Sequence, residues 1–325
     1  MSDIIASEVL ANGLRTDFWA TSSSIRNRQA DSRLSSVMDL GVPATNREHE
    51  FGYFEAAPHM AQWTRGTSIP TDGFESVKFS VPVYTWGRRV KWHNEDREDD
   101  QTQSLFDVAR MCGESAALMP ERFFFDLSTG TTGTLPAVPL APDGAAMFAT
   151  QDGSGADRFG VSDGNIFNTA GQTPANVQAD YYKAMTRFKG MQDGKGQPLL
   201  SDSVIDRGAI IVHSPALQEV MEQVFLMSRP GALASGAPSN VIQESGRNVD
   251  LWCSSRLTGN SYYIFLKGTN KKATFYLDRQ GVQEESSLRG DNNGDLTRNT
   301  GEEYLQWYLR SGAGISLPYG AIKVN

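Results

Sequence analysis

Cys112 and His213 are the first pair in the chain that could do covalent chemistry, because a thiol and an imidazole in hydrogen-bond reach make a nucleophile and its base. Nothing in the spacing brings them together. Cys112 falls on an apolar stripe, where a thiolate is disfavoured, and His213 closes the apolar run Ala209-Ile-Ile-Val-His213. His49, His59 and His93 show no metal-ligand spacing. The run Glu95-Asp-Arg-Glu-Asp-Asp100 has the carboxylates of a metal-dependent phosphoryl site. It stands just before a helical pattern, however, where Asp99, Asp100 and Thr102 can cap free amides and suit the helix dipole. Asp291, Asn293, Asp295 and Glu302 have the spacing of an EF-hand calcium loop, but Leu296 sits where that loop needs glycine. Gly312-Ala-Gly314 and the glycines from Gly190 to Gly196 lack the strand-to-helix setting and the Lys-Ser/Thr of a phosphate loop. The residues support no catalytic, metal or cofactor site, and the chain is not expected to be an enzyme.

The elements that would have to position chemistry point instead to contact. Phe74 to Trp92 is rich in aromatic and β-branched residues and reads as a strand-turn-strand ribbon. Along it Tyr84, Trp86, Arg88, Val90 and Trp92 share one face, and Thr85, Gly87, Arg89 and Lys91 the other. Such a ribbon is expected to lie on a neighbouring molecule rather than to bury both faces at home. Leu105, Val108, Cys112, Ala116, Met119, Phe123 and Leu127 then recur at helical spacing, with a break or restart expected at Pro120 and a stop at Gly130.

Residues 2–14 read as a short helix, and from Thr16 to Glu50 Ser- and Arg-rich stretches carry scattered hydrophobes. This segment is expected to be an arm draped over another surface through Phe18, Trp19, Ile25 and Leu40. The stretch from Thr129 to Gly171 is a long Gly/Pro/Thr-rich connection. Helices are expected from Pro174 to Met191 and after Ser214-Pro215, and strands over Ala209–His213, Val249–Ser254, Tyr262–Leu266 and Ala273–Leu277. Glu302 to Arg310 fits a helix or a strand.

At 325 residues the chain has room for one large domain or two ordinary ones. A net charge of −8 argues against a general nucleic-acid binder, though not against an acidic wall beside DNA, which would repel phosphate. Cys112 and Cys253 form no disulfide or zinc framework and read as small hydrophobes of a protein made in a reducing compartment. The start Met-Ser-Asp-Ile-Ile is not a signal peptide, and no apolar run approaches membrane-spanning length.

Taken in order, several pieces resemble the major head subunit of Mu-like tailed phages, a branch of the HK97-type capsid proteins. They are Trp63-Thr-Arg-Gly66, the Lys78 to Trp92 ribbon, Glu98-Asp-Asp-Gln101 leading into the helix with Gly113 and Pro120-Glu121, and Asp143-Gly-Ala-Ala-Met-Phe148. The Tyr182 to Gly196 segment, Gly208-Ala-Ile-Ile-Val-His-Ser-Pro215 and the terminal Lys323-Val-Asn325 complete the set. The resemblance implies an α+β HK97-like fold with an N-terminal arm at 1–50, an extended β-hairpin loop at 51–97, and a peripheral domain at 98–141 and 258–312. A spine helix would span 103–128, and an axial domain 142–257 and 313–325. No long N-terminal scaffolding segment is seen, so removal of a large prodomain is not expected.

The implied function is a major capsid protein, assembled in a host cytoplasm into the icosahedral shell of a virion around double-stranded DNA. Its partners would be itself, as pentamers and hexamers, with scaffold, portal and decoration proteins, and no membrane. Subunit contacts are expected from Trp63, Arg65, Phe74, Tyr84, Trp86, Arg88 and Trp92, since aromatics and arginines dominate interface energies. An encapsulin-type shell around protein cargo is the alternative, and a soluble hydrolase or lectin a weaker one. Deleting residues 2–40, or shortening the ribbon between Pro70 and Val81, is expected to abolish closed particles and leave a folded subunit.

Overall fold

Helical and strand periodicities alternate along the chain, and the elements they specify segregate into two sheets that share one helix between them. The computed structural model describes residues 13–25, 27, 33–54, 76–93, 104–226, 248–286 and 302–325. The helix expected at residues 2–14, the Asp291 loop and the acidic run at 95–100 lie outside these, apart from residues 13 and 14.

The first sheet has four strands. β1 (Met38–Pro43), β4 (Tyr84–His93), β9 (Thr274–Ser286) and β10 (Glu302–Ile315) are ordered β1-β9-β10-β4. β1 runs parallel to β9, and β10 is antiparallel to both of its neighbours. The ambiguous segment at 302–310 is therefore a strand: Leu305, Trp307, Leu309 and Ser311 are buried at every second position, the period of a pleat.

The second sheet has five strands, β5 (Ile166–Phe167), β6 (Ala209–His213), β7 (Val249–Cys253), β8 (Tyr262–Leu266) and β11 (Ala321–Val324), ordered β5-β11-β8-β6-β7. β6 is an interior strand between β7, to which it runs parallel, and β8, to which it runs antiparallel. All five of its residues are buried, which accounts for the unbroken apolar run in the sequence. Ile210 and Val212 face one core, and Ala209 and Ile211 face another.

Seven helices are described: α1 (13–25), α2 (Arg33–Val37), α3 (Ser104–Ala117), α4 (Met119–Thr129), α5 (Pro174–Gly190), α6 (Asp202–Ile205) and α7 (Gln218–Phe225). α3 and α4 are the long helix of the sequence pattern, interrupted at Leu118 with Pro120 in the first turn of the second piece. Proline has no amide hydrogen to offer and fits only where none is needed. Gly130 ends α4 at φ 70°, donating its N–H to the Asp126 carbonyl. Such a left-handed residue closes a helix at no steric cost only if it is glycine.

α4 is the shared element. Phe123 packs on Trp86 and Tyr276 of the first sheet at ring separations of 5.2 and 5.9 Å. The next residue, Phe124, stacks on Trp252 at 5.3 Å and meets Phe265 at 5.3 Å, both in the second sheet. Consecutive helical residues point about 100° apart, so adjacent phenylalanines reach different sheets. The far face of the second sheet is covered by α5 and α7 through Tyr181, Ala184, Met185, Phe188, Met221 and Phe225.

Three expectations require correction. The segment at 1–50 is not a detached arm over its described part. Leu14, Phe18, Ile25, Leu34, Val37 and Met38 are buried in the chain's own body, and β1 is an edge strand of the first sheet. α1 crosses α3 so closely that a Cβ on Gly113 would lie 2.5 Å from the Phe18 carbonyl oxygen. Its hydrophobes looked irregular in sequence because they are divided among two helices and an edge strand.

The ribbon is the second correction. Tyr84–His93 pairs with β10 along its whole length, from Tyr84↔Ser311 to His93↔Glu302. The chain's own helices cover its aromatic face, and Thr85, Gly87, Arg89 and Lys91 face outward. Third, Tyr262–Leu266 belongs to the second sheet with Ala209–His213, although the expected division grouped 258–312 with the long helix. β10 likewise carries residues 313–315 in the first sheet. Strand pairing, invisible in a linear pattern, decides both boundaries.

The connection after α4 buries Leu135, Ala141 and Met147 in the main core, and polar groups order the rest of it. Asp126, itself buried, accepts the N–H groups of Thr134 and Leu135 at 2.6 and 2.7 Å. Arg158 is 1% exposed and forks onto Asp143, with Nε–Oδ2 at 2.6 Å and a second N–H to Oδ1 at 3.0 Å. Its remaining donors go to the carbonyls of Ala146 and Met147 and to Asn165 Oδ1. Asn165 in turn donates to the carbonyls of Met147, Pro318 and Ala321, tying the loop to the C-terminal strand. A stretch that reads as loose in sequence is held by a satisfied buried network.

Candidate subunit-interaction surface

One element stands apart from both sheets. β2 (Glu48–Phe54) and β3 (Ser76–Pro82) form a two-stranded antiparallel sheet, paired from Glu48↔Pro82 to Phe54↔Ser76. Alternation gives this hairpin two unlike faces. Phe51 and Phe79 lie opposite each other and stack at 5.3 Å, and Phe51 also packs on Phe275 of β9 at 4.7 Å. Glu50 and Lys78 lie on the other face, exposed, 3.8 Å apart; an exposed pair of this kind contributes little to stability.

The root of the hairpin is fixed to the body. Val81, Val83, Ala44, Phe275 and Leu277 form a small buried cluster, and the Val83 N–H donates to the Arg47 carbonyl at 2.8 Å. Here Gly312 and Gly314 find their physical role. A Cβ on Gly312 would lie 2.4 Å from the Pro82 carbonyl oxygen, and one on Gly314 2.5 Å from the Phe275 ring. The glycines let the hairpin root press onto β10.

An isolated two-stranded ribbon is marginal in water. This one is anchored at the root, while residues 55–75, which join its strands at the other end, lie outside the described residues. Its paired strands hydrogen-bond to no third strand among the described residues, so they leave backbone edges and a polar face for other contacts.

The residues singled out in the sequence fall into three groups. Trp63, Arg65 and Phe74 lie outside the described residues. Trp86 and Trp92 are committed within the chain: the Trp86 indole N–H donates to the Ser311 carbonyl at 3.0 Å, and Trp92 is buried beside Leu14, Ala109 and Leu305. Tyr84 is half-buried with its ring edge-on to Trp86 at 5.9 Å, and Arg88 is exposed. The arm residues turn inward as well. Phe18 packs on Trp19 and Trp307, Ile25 is buried, and Leu40 lies against the main core. The sequence reading passed over Phe51 and Phe79, whose alternation with Glu50 and Lys78 across two separate strands is the signal that could have found the hairpin.

Chemistry is disfavoured where it was sought. Burial pushes the Cys112 thiol up to about 11, so it remains protonated at neutral pH. His213, 1% exposed, donates from Nδ1 to the Ser214 carbonyl at 2.9 Å, and no hydrogen bond joins it to Cys112 among the described residues. The described residues contain no group of three or more His, Cys, Asp or Glu placed to hold a metal ion, and no helix among them is long and apolar enough to cross a membrane.

Burial also depresses the His213 pKa below its ordinary 6.5, against the opposing pull of the Ser214 carbonyl and Glu222. Below pH 6.5 the unfolded chain takes up a proton at this position that the folded chain resists, so stability must fall with pH. The loss is at most about 1.4 kcal/mol per pH unit. Chemical denaturation at pH 7.5 and 5.5 should show this slope, and His213→Gln should flatten it; an unchanged slope in the variant would assign the effect to other groups.

A family model described as phage capsid protein matches residues 76–324. The chain belongs to the phage capsid protein family. Among solved structures, the capsid of cyanophage P-SCSP1u superposes with TM-score 0.56 at 10% identity, covering 90% of this chain and 86% of that one. The mature capsid of bacteriophage PhiM1 gives 0.55 at 10% identity over 90% and 86% of the two chains. A virus-like particle from Pyrococcus furiosus gives 0.52 at 9% identity over 97% and 98%. No curated protein matches the sequence. At these identities the likeness is one of fold, and that fold is the HK97-like capsid fold. The chain is a phage capsid protein, a structural protein of the virion.

Proposed function

We propose that this capsid protein is a Mu-like major head subunit, forming pentamers and hexamers that close an icosahedral shell around double-stranded DNA. The observation that carries the reading is the β2–β3 hairpin, anchored at its root and unpaired with either sheet, on a chain whose family match runs from residue 76 to residue 324. Closed shells require the same surfaces to bond in slightly different surroundings, which a projecting ribbon accommodates better than a flat rigid face. In this reading the first sheet with α3 is the peripheral domain, the second sheet is the axial domain, and Trp63, Arg65 and Phe74 contribute to the contact of the hairpin with the next subunit. Tyr84 and Arg88 contribute from the body. Scaffold, portal and decoration proteins would join the assembly in the host cytoplasm. The acidic chain would serve as a wall beside DNA that phosphate does not adhere to.

Replacing residues 55–75 with a two-residue Asn-Gly turn tests the reading. Both anchored strands remain, so the subunit should keep its circular dichroism and melting behaviour. Closed particles seen by electron microscopy and sedimentation should fall by roughly tenfold or more, as expected when a central contact element is lost. Normal shells from the shortened chain would remove the hairpin from the interface. Nucleic acid inside particles made in cells, as opposed to a protein cargo, separates the phage head from an encapsulin-type compartment.

A further inference from the structure

At the root of the hairpin lies a cavity of about 730 Å³ lined by Arg47, Arg279 and Arg310, with Glu48 the one acid among the lining residues. Tyr84 and Thr85, the start of β4, form part of its wall. None of the three guanidinium groups has a hydrogen-bond or ion-pair partner among the described residues, whereas Arg15, Arg110, Arg158, Arg187 and Arg256 each have a carboxylate. Three like charges around one concavity repel one another, and an anion seated there would relieve that repulsion.

We propose that this pocket receives the acidic run Glu95–Asp100 of a second copy of the chain. The proposal rests on the shell reading above and adds a specific head-to-tail contact to it. Two features of the chain point to the occupant. The first is charge: residues 94–103 hold five acids and one arginine, opposite in sign to a site lined by three arginines and one glutamate.

The second feature is geometry. β4 begins at the pocket with Tyr84 and ends at His93, immediately before the acidic run. Nine residue steps of extended strand at roughly 3.3 Å separate those ends by about 30 Å. The run is also held at its other end, because Leu105 and Phe106 at the start of α3 pack beside Trp92 and Leu305, at the His93 end of the sheet. A ten-residue segment tethered at both ends reaches no further than about 18 Å from them, even fully extended. Its backbone falls about 10 Å short of the Tyr84 end of the strand in its own subunit. Donor and acceptor therefore sit at opposite ends of one strand, an arrangement that links unlike surfaces of successive copies and closes into a ring when the rotation permits.

The test uses the full chain carrying Arg279→Glu and Arg310→Glu, with Arg279→Gln and Arg310→Gln as a milder pair should the first misfold. Subunits should stay folded by circular dichroism, while closed particles fall roughly tenfold or more through loss of complementary charge. Adding Asp99→Lys and Asp100→Lys to the Arg→Glu chain reverses both sides of the contact and should restore particles. Wild-type yields from the Arg→Glu or Arg→Gln chain, or no restoration by the double reversal, would overturn the pairing and leave the shell reading intact. Normal shells that no longer retain nucleic acid would make the pocket a phosphate site and overturn it too. A wild-type chain that forms no closed particles under any condition would remove the shell reading, and this inference with it.

Discussion

Replacing Arg158 with alanine will destabilise the subunit by about 3–5 kcal/mol, the range for breaking one side of a buried ion pair. Arg158 is almost fully buried and donates to Asp143, two backbone carbonyls and Asn165. Its removal strands a carboxylate that is only 20% exposed and leaves the Ala146 carbonyl without the donor it has now. Because Asn165 joins the same network to Pro318 and Ala321, the disturbance should spread to the C-terminal strand. Denaturant unfolding of the wild type, Arg158→Ala, Asp143→Asn and the double variant gives the coupling. A double variant no worse than Arg158→Ala supports the network, since neutralising Asp143 removes the stranded charge. A loss under 1 kcal/mol in the single Arg158 variant would mean that water substitutes freely and that the loop is not held this way.

Deleting residues 2–40 is expected to unfold the subunit, not merely to block assembly. The deletion removes Leu14, Phe18, Leu34, Val37 and Met38, each no more than 2% exposed, together with half of an edge strand. Truncating one such side chain costs about 2–5 kcal/mol. Five together cost about 10–25 kcal/mol, as much as or more than the roughly 5–15 kcal/mol by which domains are stable. The sequence pattern had implied the opposite outcome, a folded subunit that fails to assemble. Deleting residues 2–12 is the matched control, since it leaves every described contact in place. Thermal melts of both proteins decide the matter: a cooperative transition near the wild-type temperature in the longer deletion would return residues 13–40 to the status of an arm. The same logic moves the hairpin cut. Shortening between Pro70 and Val81 would remove most of β3 and the buried Val81, whereas residues 55–75 can be replaced with both strands intact.

Much of the fold was legible because it obeys local periods. The stripe from Leu105 to Leu127 is a helix with its break beside Pro120, and Ala209–His213 is a strand buried on both faces. These depend on propensity and on spacings of three, four or two residues, all carried by neighbouring side chains. The surface was less legible. Trp86 and Trp92 looked like sockets for a partner because a linear pattern records what a side chain is and omits what covers it. Their cover is α3, α4 and β10, and β10 lies more than two hundred residues along the chain.

The amino-acid order alone settled the helices at 104–129 and 174–190 and the strands at 209–213 and 262–266, because those choices rest on backbone sterics and short-range burial. Three-dimensional packing alone decided that residues 38–43 complete a sheet, that the hairpin is 48–54 with 76–82, and that three arginines converge at its root. Each of these depends on pairing between distant strands, whose register is chosen by the combined burial of both partners and is written in neither one.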